Sequence, residues 1–175
     1  EVHDIPLALV TGTNGKTTTV RLLAAIAEAA GKTAGLTSTE GISVGGEIAA
    51  LGDFSGPQGA RALLRDHRVE IAILEVARGG LLRRGLAVER ADVAVVTNVA
   101  EDHLGEYGIF DLDDLAEAKL SVARALAFAP KSAARGRGRL IAPADDPHLT
   151  PRAAALANLH ALPLAHFGFD AASVE

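Results

Sequence analysis

The sequence contains no cysteine, methionine or tryptophan, and only one tyrosine among its 175 residues. The lack of cysteine excludes disulfide bonds, thiol catalysis and cysteine-ligated metal sites. It is compatible with a reducing compartment, so we expect a cytoplasmic location. Because Glu1 is not a methionine, and the chain has none, we expect this chain to be a piece of a longer protein.

The chain is also poor in aromatic residues and in net positive charge. It has five phenylalanines and a formal net charge of -5, whereas a nucleic-acid groove needs basic residues interleaved with aromatic stacking platforms. No apolar run approaches the roughly 18 residues of a membrane span, and residues 1–6 lack the features of a signal peptide. With 49% hydrophobic and 22% charged residues, we expect one globular domain that binds neither nucleic acid nor a membrane.

Residues 7–19 read LALVTGTNGKTTT, an apolar strand followed by a glycine-bearing turn and the start of a helix. The backbone N–H groups of such a turn and the positive end of the helix stabilise phosphate oxygens. We therefore expect a nucleoside triphosphate, and the predicted cofactor-binding residues are Gly12, Thr13, Asn14, Gly15, Lys16, Thr17 and Thr18. The common P-loop pattern has a further glycine where Val10 stands here. A turn without a ligand is the alternative, but Lys16 at a helix start opposes the helix dipole unless an anion is present.

The hydrophobic pattern predicts an α/β fold. Residues 70–76 and 92–98 are near-continuous apolar strands of the kind that is buried on both faces of a parallel sheet. Strands that alternate with helices predict a three-layer, doubly wound, mostly parallel sheet with ligands at the carboxyl ends of the strands. The remaining predicted elements are helices at 16–30, 60–67, 112–128 and 152–159, strands at 33–37, 140–142 and 164–168, a small hairpin insertion at 42–48, loops at 51–59 and 131–139, and a turn at 145–147.

Glu75 stands near the end of an otherwise apolar strand, where an unpaired carboxylate is costly to bury. A divalent cation would supply the missing positive charge, and an ion pair with Arg78 or Arg83 is the alternative. Mg2+ prefers oxygen ligands and often takes one or two carboxylates together with phosphate and water. The Thr17 hydroxyl, Glu75 and the phosphates of ATP meet that demand.

Two further candidate residues lie on other elements. Asn98 ends the strand at 92–98, and His103 follows in the next loop. Lys119 lies in the middle of an apolar helical stripe, which comprises Leu112, Leu115, Lys119, Val122 and Leu126. Its ammonium either reaches solvent along its own stem, or stays inward, where desolvation lowers the pKa of a lysine and makes the amine available for chemistry.

Taken together, these stretches resemble the central ATP-binding domain of the Mur ligase family, in particular the Mur-ligase-like part of cyanophycin synthetase and related stand-alone members. The resemblance rests on six segments in order along the chain, which are residues 11–19, 37–41, 74–83, 97–105, 114–120 and 144–147. Two positions depart from the family pattern. Pro143 stands where the family commonly has asparagine, and Glu40 where the cyanophycin-type loop usually has aspartate.

The resemblance implies a role for each candidate. Lys16 would contact the β- and γ-phosphates of ATP, and Asn98 would belong to the nucleotide site. Thr17 and Glu75 would bind a first Mg2+, and Glu75 and His103 a second, aided by Lys119, which is carbamylated in many of these ligases. Arg78 would hold the substrate carboxylate or the acyl phosphate, although a salt bridge to Glu75 is an equal alternative.

The implied reaction is ATP-dependent amide or peptide bond formation. ATP phosphorylates a substrate carboxylate, and an amine such as an amino acid displaces phosphate from the acyl phosphate. The family's C-terminal ligase domain would lie beyond Glu175, so we expect this chain alone to be largely inactive. The identity of the two substrates and the existence of a homo-oligomer stay open.

Two other functions are compatible with parts of this sequence. A catalytically silent, nucleotide-binding regulatory or assembly domain would keep the turn but would need neither His103 nor Lys119. A P-loop kinase or GTPase is less favoured, because the chain has no Asn-Lys-x-Asp tetrapeptide and has Glu75 where those enzymes use aspartate.

Overall fold

The computed structural model describes residues 5–101, 104–127 and 138–168. These residues form one eight-stranded sheet with strand order β4-β3-β2-β5-β1-β6-β7-β8. The strands are β1 (Leu7–Thr11), β2 (Ala34–Thr37), β3 (Gly41–Val44), β4 (Glu47–Leu51), β5 (Ile71–Glu75), β6 (Val93–Val96), β7 (Arg139–Pro143) and β8 (Leu164–Phe167). The strands pair in parallel except for β2 with β3 and β3 with β4, which are antiparallel.

Helices connect and cover these strands. They are α1 (Lys16–Ala29), α2 (Pro57–Leu63), α3 (Arg78–Arg84), α4 (Leu112–Leu120), α5 (Arg124–Ala127) and α6 (Leu149–His160), with a 3-10 turn at Ser121–Ala123 between α4 and α5. None of the helices within residues 5–101, 104–127 and 138–168 is long and apolar enough to cross a bilayer.

The sheet is buried on both faces because successive residues of its central strands are apolar. In β1, Leu9 belongs to one buried cluster and its neighbour Val10 to another. The second cluster also contains Val20 and Ala24 of α1, which therefore covers that face. The first contains residues of the helices that cover the opposite face, namely α2, α3, α4, α5 and α6. This three-layer arrangement confirms the predicted α/β fold with a mostly parallel sheet.

The predicted hairpin is present, and it lengthens the sheet. Gly45 and Gly46 form its turn with φ of 58° and 79°, a backbone region that L-residues with side chains seldom adopt. The two strands of the hairpin extend the sheet beyond β2 as an antiparallel edge.

Several predicted boundaries were wrong. The helix expected at 60–67 begins at Pro57 and ends at Leu63, because proline suits the first helical turn and gives the helix an earlier start. Leu51 ends a strand although it was assigned to a loop. The helix α3 was not predicted, and α6 begins three residues earlier than expected. Arg139 begins β7 instead of ending a loop, and residues 131–137 lie outside the described residues.

The helix expected to run from 112 to about 128 is interrupted. Asp111 accepts a 2.8 Å hydrogen bond from the Asp114 N–H and caps α4 as predicted. The α-helix then gives way at Ser121, whose Oγ donates a 2.6 Å bond to the Ala118 carbonyl. A serine hydroxyl that binds a nearby helical carbonyl competes with the regular backbone bonds, which accounts for the tighter turn at this point.

Candidate nucleotide-binding site

The turn between β1 and α1 depends on two glycines. Gly12 has φ 147°, and an added Cβ would lie 1.8 Å from the Thr97 Oγ1, so a side chain has no room there. Gly15 has φ 79° and stands directly before α1. In the part of the chain that the structure describes, no side chain caps the start of α1. The first amides of the helix are therefore available to an anion, as a phosphate site requires.

The loop that follows β6 holds this turn in place. The Asn98 carbonyl accepts a 3.0 Å bond from the Thr13 N–H, and its side-chain Oδ1 accepts a 2.9 Å bond from the Asn14 N–H. The Asn98 Nδ2 donates to the Asn14 carbonyl at 3.2 Å. The Thr97 hydroxyl donates a 2.6 Å hydrogen bond to the same Asn14 carbonyl. Asn98 thus lies at the predicted site, where its amide group braces the backbone of the turn.

Lys16 is half-buried at the first position of α1, and its Nζ donates a 2.7 Å bond to the Thr13 carbonyl. The ammonium is thereby folded over the turn whose amides are available to an anion. This arrangement places a positive charge beside the free helix start, and both attract phosphate oxygens.

Thr17 and Glu75 meet at the junction of α1 and β5. The Thr17 Oγ1 donates a 2.8 Å hydrogen bond to Oε2 of Glu75. Glu75 is only 2% exposed, and its Oε1 has no hydrogen-bond partner among the residues that the structure describes. A buried carboxylate oxygen without a partner is costly, and a cation would satisfy it.

The two arginines that were considered as partners of Glu75 have contacts with the loop after β6. Arg78, whose side chain is 12% exposed, forms a 3.0 Å ion pair with Glu106. The Arg83 guanidinium lies 4.8 Å from the centre of the Tyr107 ring. An ion pair and a cation–π contact therefore connect helix α3 to this loop.

Lys119 is 3% exposed, so the structure has the inward arrangement and excludes the one in which the ammonium reaches solvent. His103 lies outside the described residues. Within residues 5–101, 104–127 and 138–168, no three His, Cys, Asp or Glu side chains form a cluster that could hold a metal ion. Phosphates and water commonly complete the coordination of Mg2+, so Thr17 and Glu75 are compatible with a Mg2+ site beside a bound triphosphate.

An open pocket of about 540 Å³ adjoins the turn. Asn14, Gly15 and Asn98 line one side of it, and Asp145, Asp146 and Phe167 line the other. Sequence reasoning assigned no site role to the second group. Residues 145–147 are predicted as a turn and contribute to the family resemblance, and their position after a predicted parallel strand is the signal that could have placed them at the same edge of the sheet.

Comparison with known proteins identifies the family. The model of the family described as Mur ligase middle domain matches residues 10–174. Cyanophycin synthetase of Geminocystis herdmanii is 49% identical over 143 residues, which cover 82% of this chain and 15% of that protein. The UDP-N-acetylmuramoyl-L-alanyl-D-glutamate–2,6-diaminopimelate ligase of Xanthomonas oryzae is 34% identical over 152 residues, or 84% of this chain and 30% of that protein. The chain therefore spans less than a third of either relative.

Solved structures agree with this result. A structure of UDP-N-acetylmuramoyl-L-alanyl-D-glutamate–2,6-diaminopimelate ligase shares the fold with a TM-score of 0.73 at 23% identity, covering 99% of this chain and 34% of that one. E. coli FolC in complex with DHPP and ADP has a TM-score of 0.67 at 28% identity, covering 92% of this chain and 42% of that one. On this evidence the chain belongs to the Mur ligase family, as a middle domain.

Proposed function

We propose that this chain is the ATP-binding domain of an amide-forming ligase. In this proposal ATP transfers its γ-phosphoryl group to a substrate carboxylate, and an amine, such as that of an amino acid, displaces phosphate from the resulting acyl phosphate. The relatives named above support the reaction class, and the complex of E. coli FolC with ADP supports a nucleotide as ligand. The proposal also includes the two substrates, a carboxylate and an amine, and a C-terminal ligase domain in the natural protein.

The turn at Gly12–Thr17 would hold the triphosphate. Its amides face the anion at the start of α1, and Lys16 is already positioned over the turn by its 2.7 Å bond to the Thr13 carbonyl. When ATP binds, the Lys16 ammonium would bond to phosphate oxygens instead of the Thr13 carbonyl. It would then stabilise the negative charge that builds up as the phosphoryl group moves.

The Thr17 hydroxyl and the Glu75 carboxylate would hold Mg2+. When bound, this ion would neutralise phosphate charge as a Lewis acid. The observation that carries the whole proposal is the buried Glu75, with one oxygen bonded to Thr17 and the other without a partner beside the phosphate-binding turn. An ordinary strand would gain nothing from a carboxylate in that position.

Three other residues have roles in the proposal. Arg78, already paired with Glu106, would orient the substrate carboxylate or the acyl phosphate from the start of α3. Lys119 would approach the metal region from α4, and His103 would join it there. A domain that only binds nucleotide would need none of these three residues.

Calorimetry of MgATP binding to the wild type and to Lys16→Ala tests the phosphate site. We expect the variant to bind at least tenfold more weakly, because it loses a charge-assisted contact. Lys32→Ala is the matched control, since Lys32 lies past the other end of α1 in an exposed pair with Glu70. Equal affinities of wild type and Lys16→Ala would contradict the proposal.

The chemistry requires a second measurement in the full-length protein. A peptide with an 18O-labelled carboxylate, an amine and ATP should yield inorganic phosphate that carries one 18O atom, since an acyl phosphate passes the carboxylate oxygen to phosphate. Nucleotide binding without 18O transfer, over a panel of peptide carboxylates and amino acids, would instead support the regulatory or assembly domain.

A further inference from the structure

Asp146, which follows β7 by three residues, binds two different parts of the fold. Its Oδ1 accepts 2.9 Å bonds from the N–H groups of His148 and Leu149 at the start of α6. Its Oδ2 accepts a 3.1 Å bond from the Val99 N–H in the loop after β6. One carboxylate thus accepts hydrogen bonds both from the beginning of a helix and from a loop 47 residues earlier in the sequence.

The bond to Val99 falls in the middle of the loop that braces the phosphate-binding turn. Residue 98 on one side of Val99 makes three hydrogen bonds to Thr13 and Asn14. Residue 100 on the other side donates its N–H to the Thr13 Oγ1 at 3.1 Å. From the side of β7, Asp146 fixes the amide that lies between these two contact points.

Thr97, next to Asn98 in the same segment, also binds the turn through the Asn14 carbonyl, and the Lys16 ammonium binds the Thr13 carbonyl. Gly12 and Gly15 give the turn conformational freedom, and no side chain caps α1 in the described structure. A phosphate site needs its amides held in advance, because ordering them at the moment of binding costs affinity. The position of the loop after β6 therefore determines how well the turn is prepared for the triphosphate.

We propose that Asp146 is a positioning residue of the nucleotide site, which acts on the phosphate-binding turn through Val99 and Asn98. This inference rests on the proposed function, in that the turn must bind a nucleotide. It is distinct from a contact with the ligand itself, because it acts through the bonds that Asp146 makes to backbone amides.

Two substitutions separate this role from the capping of α6. In Asp146→Asn the single amide oxygen can still accept from His148 and Leu149, but the NH2 group cannot accept from the Val99 N–H. Asp146→Ser likewise keeps one short acceptor for the helix start. Both variants should therefore keep the melting temperature of the wild type within a few degrees while they release Val99.

The test combines hydrogen exchange with calorimetry. Without nucleotide, the Val99 amide should exchange faster in both variants, whereas the amides of His148 and Leu149 should keep their protection. The affinity for MgATP should fall about tenfold, which corresponds to about 1.4 kcal/mol. Asp66→Asn is the matched control, because Asp66 also accepts from the N–H two residues ahead, at 3.0 Å, in an exposed segment before β5. It should bind MgATP like the wild type.

Each outcome is decisive. Unchanged MgATP affinity together with fast exchange at Val99 overturns the proposal, and so does unchanged protection of Val99 in both variants. Asp146 and Asn98 act on the same turn, so Asp146→Asn should add little to the loss of MgATP affinity in Asn98→Ala. Fully additive losses in the double variant would also contradict the inference. If Lys16→Ala binds as the wild type does, the proposed function fails independently of the exchange data.

Discussion

The Thr17 hydroxyl donates a 2.8 Å hydrogen bond to the Glu75 carboxylate and so joins the first turn of α1 to the end of β5. The bond orients a buried acidic group toward the start of the helix that follows the phosphate-binding turn. It connects two residues that are 58 positions apart in the sequence. The parallel pairing of β1 with β5, in which Val10 lies opposite Glu75, brings them together.

Glu75→Gln should abolish the contribution of Mg2+ to ATP binding. Glutamine can still accept the Thr17 hydrogen bond, but it carries no charge for a divalent ion. We expect ATP affinity measured in Mg2+ to fall to about the value measured in EDTA. The free energy of unfolding should not decrease, because the variant removes a buried carboxylate for which the described part of the chain supplies a single hydrogen bond.

Glu70→Gln is the matched control for this substitution. Glu70 precedes the same strand but is exposed and paired with Lys32 at 3.0 Å. Its loss should leave the Mg2+ dependence of ATP binding intact. A Mg2+ dependence that survives in Glu75→Gln would remove Glu75 from the metal site.

Gly12→Ala should destabilise the fold by about 2 kcal/mol or more, because the new Cβ would meet the Thr97 hydroxyl in a backbone region that favours glycine. Gly79→Ala is the control. Gly79 lies in α3 with nothing within 4 Å of an added Cβ, so this change should be neutral or stabilise by about 0.5–1 kcal/mol. Urea unfolding of both variants gives the comparison, and equal stabilities would show that the turn tolerates a side chain at residue 12.

The central sheet and the phosphate-binding turn could be predicted because their signals are local. Apolar runs such as 70–76 indicate strands that are buried on both faces, and the residues that follow β1 predict a turn and a helix start from their own backbone preferences. Glu75 could be selected for the same reason, since a carboxylate within an apolar strand conflicts with its surroundings. The structure places Lys119 in the core, which decides between the two arrangements that its position in the apolar stripe left open.

Other features depend on contacts between distant segments and left no local pattern. Helix α3 is short and rich in arginine and glycine, and its contacts with Glu106 and Tyr107 depend on the pairing of β6 with β1, which lies far from α3 in sequence. The bond of Asp146 to Val99 has the same origin, because nothing near residue 146 in the sequence indicates which loop it will meet. Serine at 121 interrupts a helix that the apolar stripe alone would continue.

The Asp113 carboxylate should titrate below its ordinary pKa of 3.8 in the folded protein. The hydrogen bond with the His148 ring, followed by the charge of Arg152, lowers this pKa because both stabilise the ionised form. A depressed pKa contributes stability that is present above 3.8 and is lost as the pH falls through the folded-state pKa. The difference in the free energy of unfolding between the wild type and Asp113→Asn should therefore become smaller as the pH falls below 3.8.

Urea unfolding at a series of pH values measures this difference directly, and carbon-13 NMR of the Asp113 carboxyl gives the pKa itself. His148→Ala and Arg152→Ala should each raise the pKa of Asp113 toward 3.8. Asp66 provides an internal reference, because its pair with Arg68 lowers the pKa of Asp66 to about 2 and should be insensitive to both substitutions. An unshifted Asp113 in the wild type would mean that the contacts between α4 and α6 are not held in solution.

Lys119→Ala should reduce ligase turnover in the full-length protein by about a hundredfold or more while leaving MgATP binding nearly unchanged. As part of the proposed function, CO2 would add to the amine of this buried lysine, which would give a carbamate and release a proton. Alanine would leave a space in the core that a short carboxylate such as acetate can enter, so added acetate should restore part of the turnover. Lys119→Met fills that space with a side chain of similar length, and it should show the same loss without any rescue. If acetate does not restore turnover in Lys119→Ala, or if it raises turnover in Lys119→Met to the same extent, a carboxylate role for residue 119 is contradicted.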